Sequence, residues 1–242
     1  MPLPARQARQ PPAPGRPGRP LLPAAFRLGN IGIRLGLALL GTRIVTEGLE
    51  HIPDAPSVIV ASNHLSIADP PILSVVLERR LRRRVRYMAK AEALAWPIVG
   101  PILRAYGGFG VRRGRPDLEA YRMARRVLED GDWLGVAPEG TRSRTGQLGE
   151  PKAGVALLAL RSGALVLPVG VAGTERLWPI GARLPRPFQT VTVRFGPPYR
   201  PDERPQPDAP DGDRHAALEA ASEDLMRRIA MLLPPAYRGR FG

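Results

Sequence analysis

From residue 43 onward, short β-rich runs alternate with helical patterns, and this alternation constrains the fold more than any other feature. The runs are 43–47, 57–61, 85–89, 109–111, 133–137, 164–172 and 190–195, and helical spacing falls at about 70–81, 97–105, 117–130 and 152–162. Apolar strands separated by helices predict an α/β fold: a single domain whose mainly parallel sheet is flanked by helices. A Pro/Asp-rich connector, 197–212, leads to a closing amphipathic helix over 214–233, with Leu218, Leu225, Ile229 and Leu232 on one face. No internal repeat and no second domain are evident, so residues 43–242 form one predicted catalytic-size unit.

The first 42 residues read differently. Residues 1–23 carry eight prolines with Arg6, Arg9, Arg16 and Arg19 between them. That density opposes helix and sheet alike and predicts a disordered basic tail. Residues 24–42 are apolar, with Arg27 and Arg34 seven apart, and residues 1–46 contain no acidic side chain. The combination predicts an amphipathic helix lying on a membrane surface with both arginines reaching outward. Packing of the same helix on the domain core is the competing reading, and four glycines weaken the helix itself.

Composition narrows the partners. There are 36 Lys+Arg against 22 Asp+Glu, a formal charge of +14, and only Lys90 and Lys152 are lysines. Such a balance favours a polyanion: nucleic acid, an anionic membrane, or phosphorylated and CoA-like substrates. Aromatics make up only 5% and no groove-reading or base-stacking motif is present, which argues against nucleic acid. The absence of Cys removes disulfides, thiolate nucleophiles and Cys-ligated metals, and three His leave little for a metal site. No segment reaches the roughly 18–20 apolar residues of a membrane span, and no secretory signal is present. The expected location is the cytoplasmic face of a membrane, peripheral or monotopic.

Chemistry concentrates where strands end, the edge at which open α/β sheets place their ligands. The run at 57–61 leads into Asn63, His64, Leu65, Ser66, Ile67, Ala68, Asp69 and Pro70. His64 can take a proton near neutral pH, and Asp69 can hold its imidazole in one tautomer. Asp followed by two prolines is equally a helix N-cap, so two readings of Asp69 stand on composition alone. The run at 133–137 leads into Pro138, Glu139, Gly140, Thr141, Arg142 and Ser143, where Arg142 offers a fork matched to phosphate. The run at 109–111 ends in Arg112 and Arg113.

These blocks resemble those of the glycerolipid acyltransferases. Residues 63–70 are similar to the family's His-x4-Asp block and 138–143 to its Phe-Pro-Glu-Gly-Thr-Arg-Ser block. Residues 107–113 and 167–171 are similar to two further blocks, all in family order, and the match runs from about 43 to 196. Within the family the chain most resembles the 1-acylglycerol-3-phosphate acyltransferases. Ala137 replaces the usual Phe, Arg112 stands where an acid is common, and the Lys152-x-Gly154 segment lacks its preceding aromatic. The resemblance implies acyl transfer from acyl-CoA or acyl carrier protein to the free hydroxyl of a lysophospholipid. It implies His64 as base, Asp69 as its support, and Arg112, Arg113 and Arg142 gripping the acceptor phosphate. Asn63, Glu139, Gly140, Thr141, Ser143 and Lys152 shape the substrate loops, with Glu139 as a brace. Neither a metal nor a cofactor enters this scheme. The arginine-rich run 79–86 is expected to face headgroups or CoA phosphates. Another lysolipid acceptor, or a non-catalytic membrane-binding relative, is the alternative.

Overall fold

Two runs, Val58–Ser62 (β2) and Leu165–Ala172 (β6), are almost wholly buried and side by side, and the sheet grows outward from them. The computed structural model describes residues 24–81, 84–97, 99–112, 117–201 and 211–242. The basic tail 1–23, Arg113 and most of the 197–212 connector lie outside these residues.

The remaining strands are Arg43–Glu47 (β1), Val85–Lys90 (β3), Phe109–Val111 (β4), Trp133–Val136 (β5) and Thr190–Phe195 (β7). Their order is β1-β7-β6-β2-β5-β3-β4. Every neighbouring pair is parallel except β6 with β7. Strand alternation sends side chains to opposite faces. Ile59 and Ala61 of β2 join one core with Leu134 and Val136, while Val58 and Val60 join a second with Leu167 and Val169. Helices cover both faces: α2 (Asp69–Leu81) lies on the second core, and α4 (Leu118–Glu129), α5 (Ala153–Ser162) and α7 (Asp211–Met231) on the first.

The expected elements and the observed ones differ mainly at their ends. β2 starts one residue late because Ser57 sits at φ 57°, outside the extended region. The helix expected over 97–105 is α3 (Val99–Ala105), and an unexpected 3-10 turn, Ala91–Ala95, precedes it. The closing helix spans Asp211–Met231 rather than 214–233. A four-residue helix, α6 (Thr174–Leu177), precedes a long loop into β7.

The N-terminal helix α1 (Ala24–Leu39) requires a correction to the reading of its arginines. Arg34 does not reach outward: it turns in and bonds Glu78 at 2.8 Å. Asn30, fully buried, donates to the same Glu78 oxygen at 2.8 Å and accepts from the Tyr106 hydroxyl at 2.8 Å. Phe26 packs against the Tyr106 ring with centroids 4.9 Å apart. One face of α1 is therefore bolted to α2 and to the turn after α3. The opposite stripe, Leu28, Ile31, Leu35 and Leu39, remains exposed. No helix among the described residues is long and apolar enough to cross a membrane.

Candidate active site

The loop after β2 folds back on itself to bring His64 and Asp69 together. His64 Nδ1 lies 2.7 Å from Asp69 Oδ2, with Asp69 at the start of α2. The same carboxylate oxygen accepts the backbone N–H groups of Leu65 at 2.7 Å and Ser66 at 2.9 Å. Asp69 therefore acts backwards, on the loop before it, rather than as an N-cap for the helix after it. Its side chain is 2% exposed and that of His64 18%, so the imidazole forms the accessible end of the pair. An anionic acceptor at Nδ1 places the proton there and leaves Nε2 bare.

Two further ties fix the His64 backbone. Its N–H donates to Glu139 Oε1 at 3.2 Å, and its carbonyl accepts the Ser143 N–H at 2.8 Å. Glu139 takes a second backbone donor, Gly149, at 2.9 Å on Oε2. Burial pushes the Glu139 carboxyl above its ordinary value, and the two backbone donors work against that shift. Next to His64, Asn63 is buried and its amide exchanges both hydrogen bonds with the Val171 backbone at 2.8 Å each. Sequence reasoning grouped Asn63 with the substrate loops; both ends of its amide are committed to β6. Ser143 is likewise engaged, its Oγ donating to the Gln147 carbonyl at 2.6 Å.

A cavity of about 730 Å³ opens at this corner. His64, Asp69, Gly140 and Lys152 stand on its wall, but most of the lining is apolar, with Leu73, Met88, Val111, Tyr121 and Leu158 among the side chains. Tyr87 reaches this space across β5 because Gly135 has no side chain: a Cβ there would come within 2.1 Å of the ring. Burial pushes the Tyr87 hydroxyl up, with Ser74 beside it working against that shift, and Asp69 Oδ1 is buried without a hydrogen-bond partner. None of this cavity was evident from sequence, since its lining comes from seven helices and strands and the loops between them.

The basic residues separate into two groups. Arg112 borders the main cavity, but its side chain leans to Asp117 and Glu119, each at 3.4 Å. Arg142 lines a neighbouring hollow of about 350 Å³ with Thr141, Arg144 and Lys152. Among the described residues no carboxylate pairs with Arg142, Arg144 or Lys152. Gly140, at φ 70°, makes the turn that passes from Glu139 into this hollow. The run 79–86 also departs from expectation, since Arg84 and Arg86 turn to Asp132 at 3.0 and 3.5 Å. The side chains of Arg79, Arg80, Arg82 and Arg83 lie outside the described residues. No group of three or more His, Asp or Glu side chains is gathered as a metal site among the described residues.

A buried carboxylate holding an imidazole at a sheet edge is found on many folds, so relatives decide the family. The acyltransferase family's sequence profile matches residues 43–172, more than half of the chain. The chain belongs to the acyltransferase family. Both polar loops and the strands that carry them fall inside the match. A 1-acyl-sn-glycerol-3-phosphate acyltransferase of Borreliella burgdorferi is 32% identical over 148 residues, covering 60% of this chain and 58% of its own. One of Pseudomonas aeruginosa is 32% identical over 171 residues, covering 69% of this chain and 63% of its own. The matched region thus spans less than two thirds of either relative. The crystal structure of the 1-acyl-sn-glycerophosphate acyltransferase PlsC from Thermotoga maritima superposes with a TM-score of 0.62 at 28% identity. That superposition covers 83% of this acyltransferase and 79% of the neighbour.

Proposed function

We propose that this acyltransferase moves a fatty acyl group from acyl-CoA or acyl carrier protein to the free hydroxyl of 1-acylglycerol-3-phosphate, giving phosphatidic acid. The observation that carries the reading is the 2.7 Å His64–Asp69 contact at the mouth of a largely apolar cavity. The names of the similar proteins support the acceptor.

His64 Nε2 removes the acceptor hydroxyl proton as that oxygen attacks the thioester carbonyl carbon. The tetrahedral intermediate collapses, the carbon–sulfur bond breaks, and the imidazolium returns its proton to the departing thiolate. Asp69 holds the ring in the Nδ1–H tautomer and stabilises the transient cation. The apolar cavity takes the donor's acyl chain, leaving the carbonyl beside His64. Arg142, paired with no carboxylate among the described residues, takes the acceptor phosphate, with Lys152 and Arg144 lining the same hollow. Arg112 joins only by sharing itself with Asp117 and Glu119. Arg113, outside the described residues, stays with this group on the strength of its place in the motif. The scheme routes no step through a metal or a cofactor.

The lipid acceptor places the enzyme at a bilayer, on the cytoplasmic face where the donors are made. The exposed Leu28, Ile31, Leu35 and Leu39 stripe of α1 supplies the contact, and Arg27 beside it meets anionic headgroups. Purified protein with labelled acyl-CoA, offered lysophosphatidic acid, lysophosphatidylcholine and lyso-ornithine lipid in competition, tests the assignment. Selective turnover of lysophosphatidic acid is expected; acylation of another acceptor alone, or of none, overturns it.

A further inference from the structure

The loop between α6 and β7 presents apolar side chains that the catalytic scheme does not use. Leu184 is 77% and Phe188 82% exposed, with Ile180 also at the surface. Phe188 sits at φ 58°, where a bulky residue is rare and glycine would serve a simple turn better. Its N–H donates to the Leu40 carbonyl at 2.7 Å, and its ring covers Gly41, where a Cβ would come within 2.7 Å. The ring is thereby fixed just past the end of α1, whose last residue, Leu39, is 89% exposed. The loop is thus held against the C-terminal end of the helix that carries the apolar stripe. Single exposed apolar side chains need no explanation, but a joined apolar surface marks an interaction site.

Charge indicates what covers it. Between Arg176 and Gln189 the loop has no acidic residue, while Arg183 and Arg186 are exposed beside Leu184 and Phe188. The base of the loop is well anchored. Arg186 N–H bonds the Leu177 carbonyl at 2.7 Å, and the Trp178 indole N–H bonds the Ala182 carbonyl at 3.1 Å. Ser66, between His64 and Asp69, donates its hydroxyl to the Trp178 carbonyl at 2.7 Å. One hydrogen bond therefore joins the loop to the catalytic corner.

We infer that residues 178–189 form a second bilayer contact, with Phe188 and Leu184 entering the acyl region and Arg183 and Arg186 meeting anionic headgroups. The inference rests on the membrane reading of α1 and extends it. The loop and α1 together set the catalytic corner at a fixed height above the lipid.

The test measures binding of the full chain to phosphatidylglycerol/phosphatidylethanolamine vesicles and to phosphatidylcholine vesicles. Phe188→Gly suits the backbone at φ 58°, so loss of binding in this variant does not come from a broken turn. Phe188→Gly with Leu184→Ser is expected to lower partition onto both vesicle types by about tenfold or more. Turnover of a short-chain, water-soluble lysophosphatidic acid is expected to stay at the unmodified protein's rate. Arg183→Gln and Arg186→Gln should each cost about fivefold on the anionic vesicles and almost nothing on the neutral ones. Unchanged partition of the loop variants overturns the inference. So does unchanged partition with a raised KM for acyl carrier protein, or with a lost dimer, since each assigns the surface to a protein. Leu35→Gln with Leu39→Gln serves as the comparison. If the unmodified protein ignores vesicles, the membrane reading itself falls; if only the α1 variant loses binding, the loop inference falls alone.

Discussion

The two polar loops that meet at the cleft are built on opposite principles. In the 62–69 loop nearly every polar group is committed: Asn63 to Val171, His64 to Asp69, Glu139 and Ser143, and Ser66 to Trp178. Around Arg142 the cationic side chains stand without carboxylate partners among the described residues. Proton transfer needs donor and acceptor held within a few tenths of an ångström, and a buried, densely hydrogen-bonded network supplies that. A phosphate needs charge that can close around it, and that charge is more useful uncommitted.

His64→Ala should break this contrast most severely, lowering kcat by about 10²–10⁴ or more with little change in acceptor KM. Initial rates over a range of lysophosphatidic acid concentrations give both constants. Asp69→Asn keeps the shape of the side chain and removes its charge; a fall in kcat of about 10- to 100-fold is expected in the same assay. Arg142→Ala belongs to the other loop, so its effect should appear as an acceptor KM raised by roughly tenfold, with kcat nearly preserved. Equal effects of Asp69→Asn and Arg142→Ala on kcat would erase the distinction between the loops.

Smaller effects concern the frame. Burial raises the Glu139 carboxyl, so the folded chain binds that proton more readily than the unfolded chain. Stability should therefore fall as pH rises from the ordinary carboxyl value through the raised one, and Glu139→Gln should flatten that fall. Denaturant midpoints across this acidic window provide the check. Burial, and then the charge of Glu78, push the Tyr106 hydroxyl up to about 12, so it stays a donor to Asn30 at all working pH values. Tyr106→Phe leaves that buried amide oxygen unpaired and should cost about 1–2 kcal/mol of stability, read as a lower Tm with kcat unchanged.

Much of this architecture is legible in the chain because its signals are local. Continuous apolar runs mark buried parallel strands, and every observed strand lies within a residue or so of its expected place. The catalytic corner is also local, since only four residues of one loop separate His64 from Asp69. What escapes sequence is set by distant partners. Asn63 finds Val171 108 residues away, and Arg34 is drawn inward by Glu78 44 residues on. The apolar cavity has no local signal, because its wall is assembled from elements between residues 62 and 158. Arg112 is the exception: its acidic partners lie five and seven residues downstream, but nothing in their spacing shows that they turn back to it.

Catalysis depends most on the state of one ring, with its proton held towards Asp69 and its other nitrogen open to the acceptor. Nitrogen-15 NMR of the labelled histidines, with His64→Ala to assign the resonance, observes this directly in neutral solution. A protonated Nδ1 and a bare Nε2 on His64 are predicted. A proton resident on Nε2 would leave no base facing the hydroxyl and would contradict the mechanism.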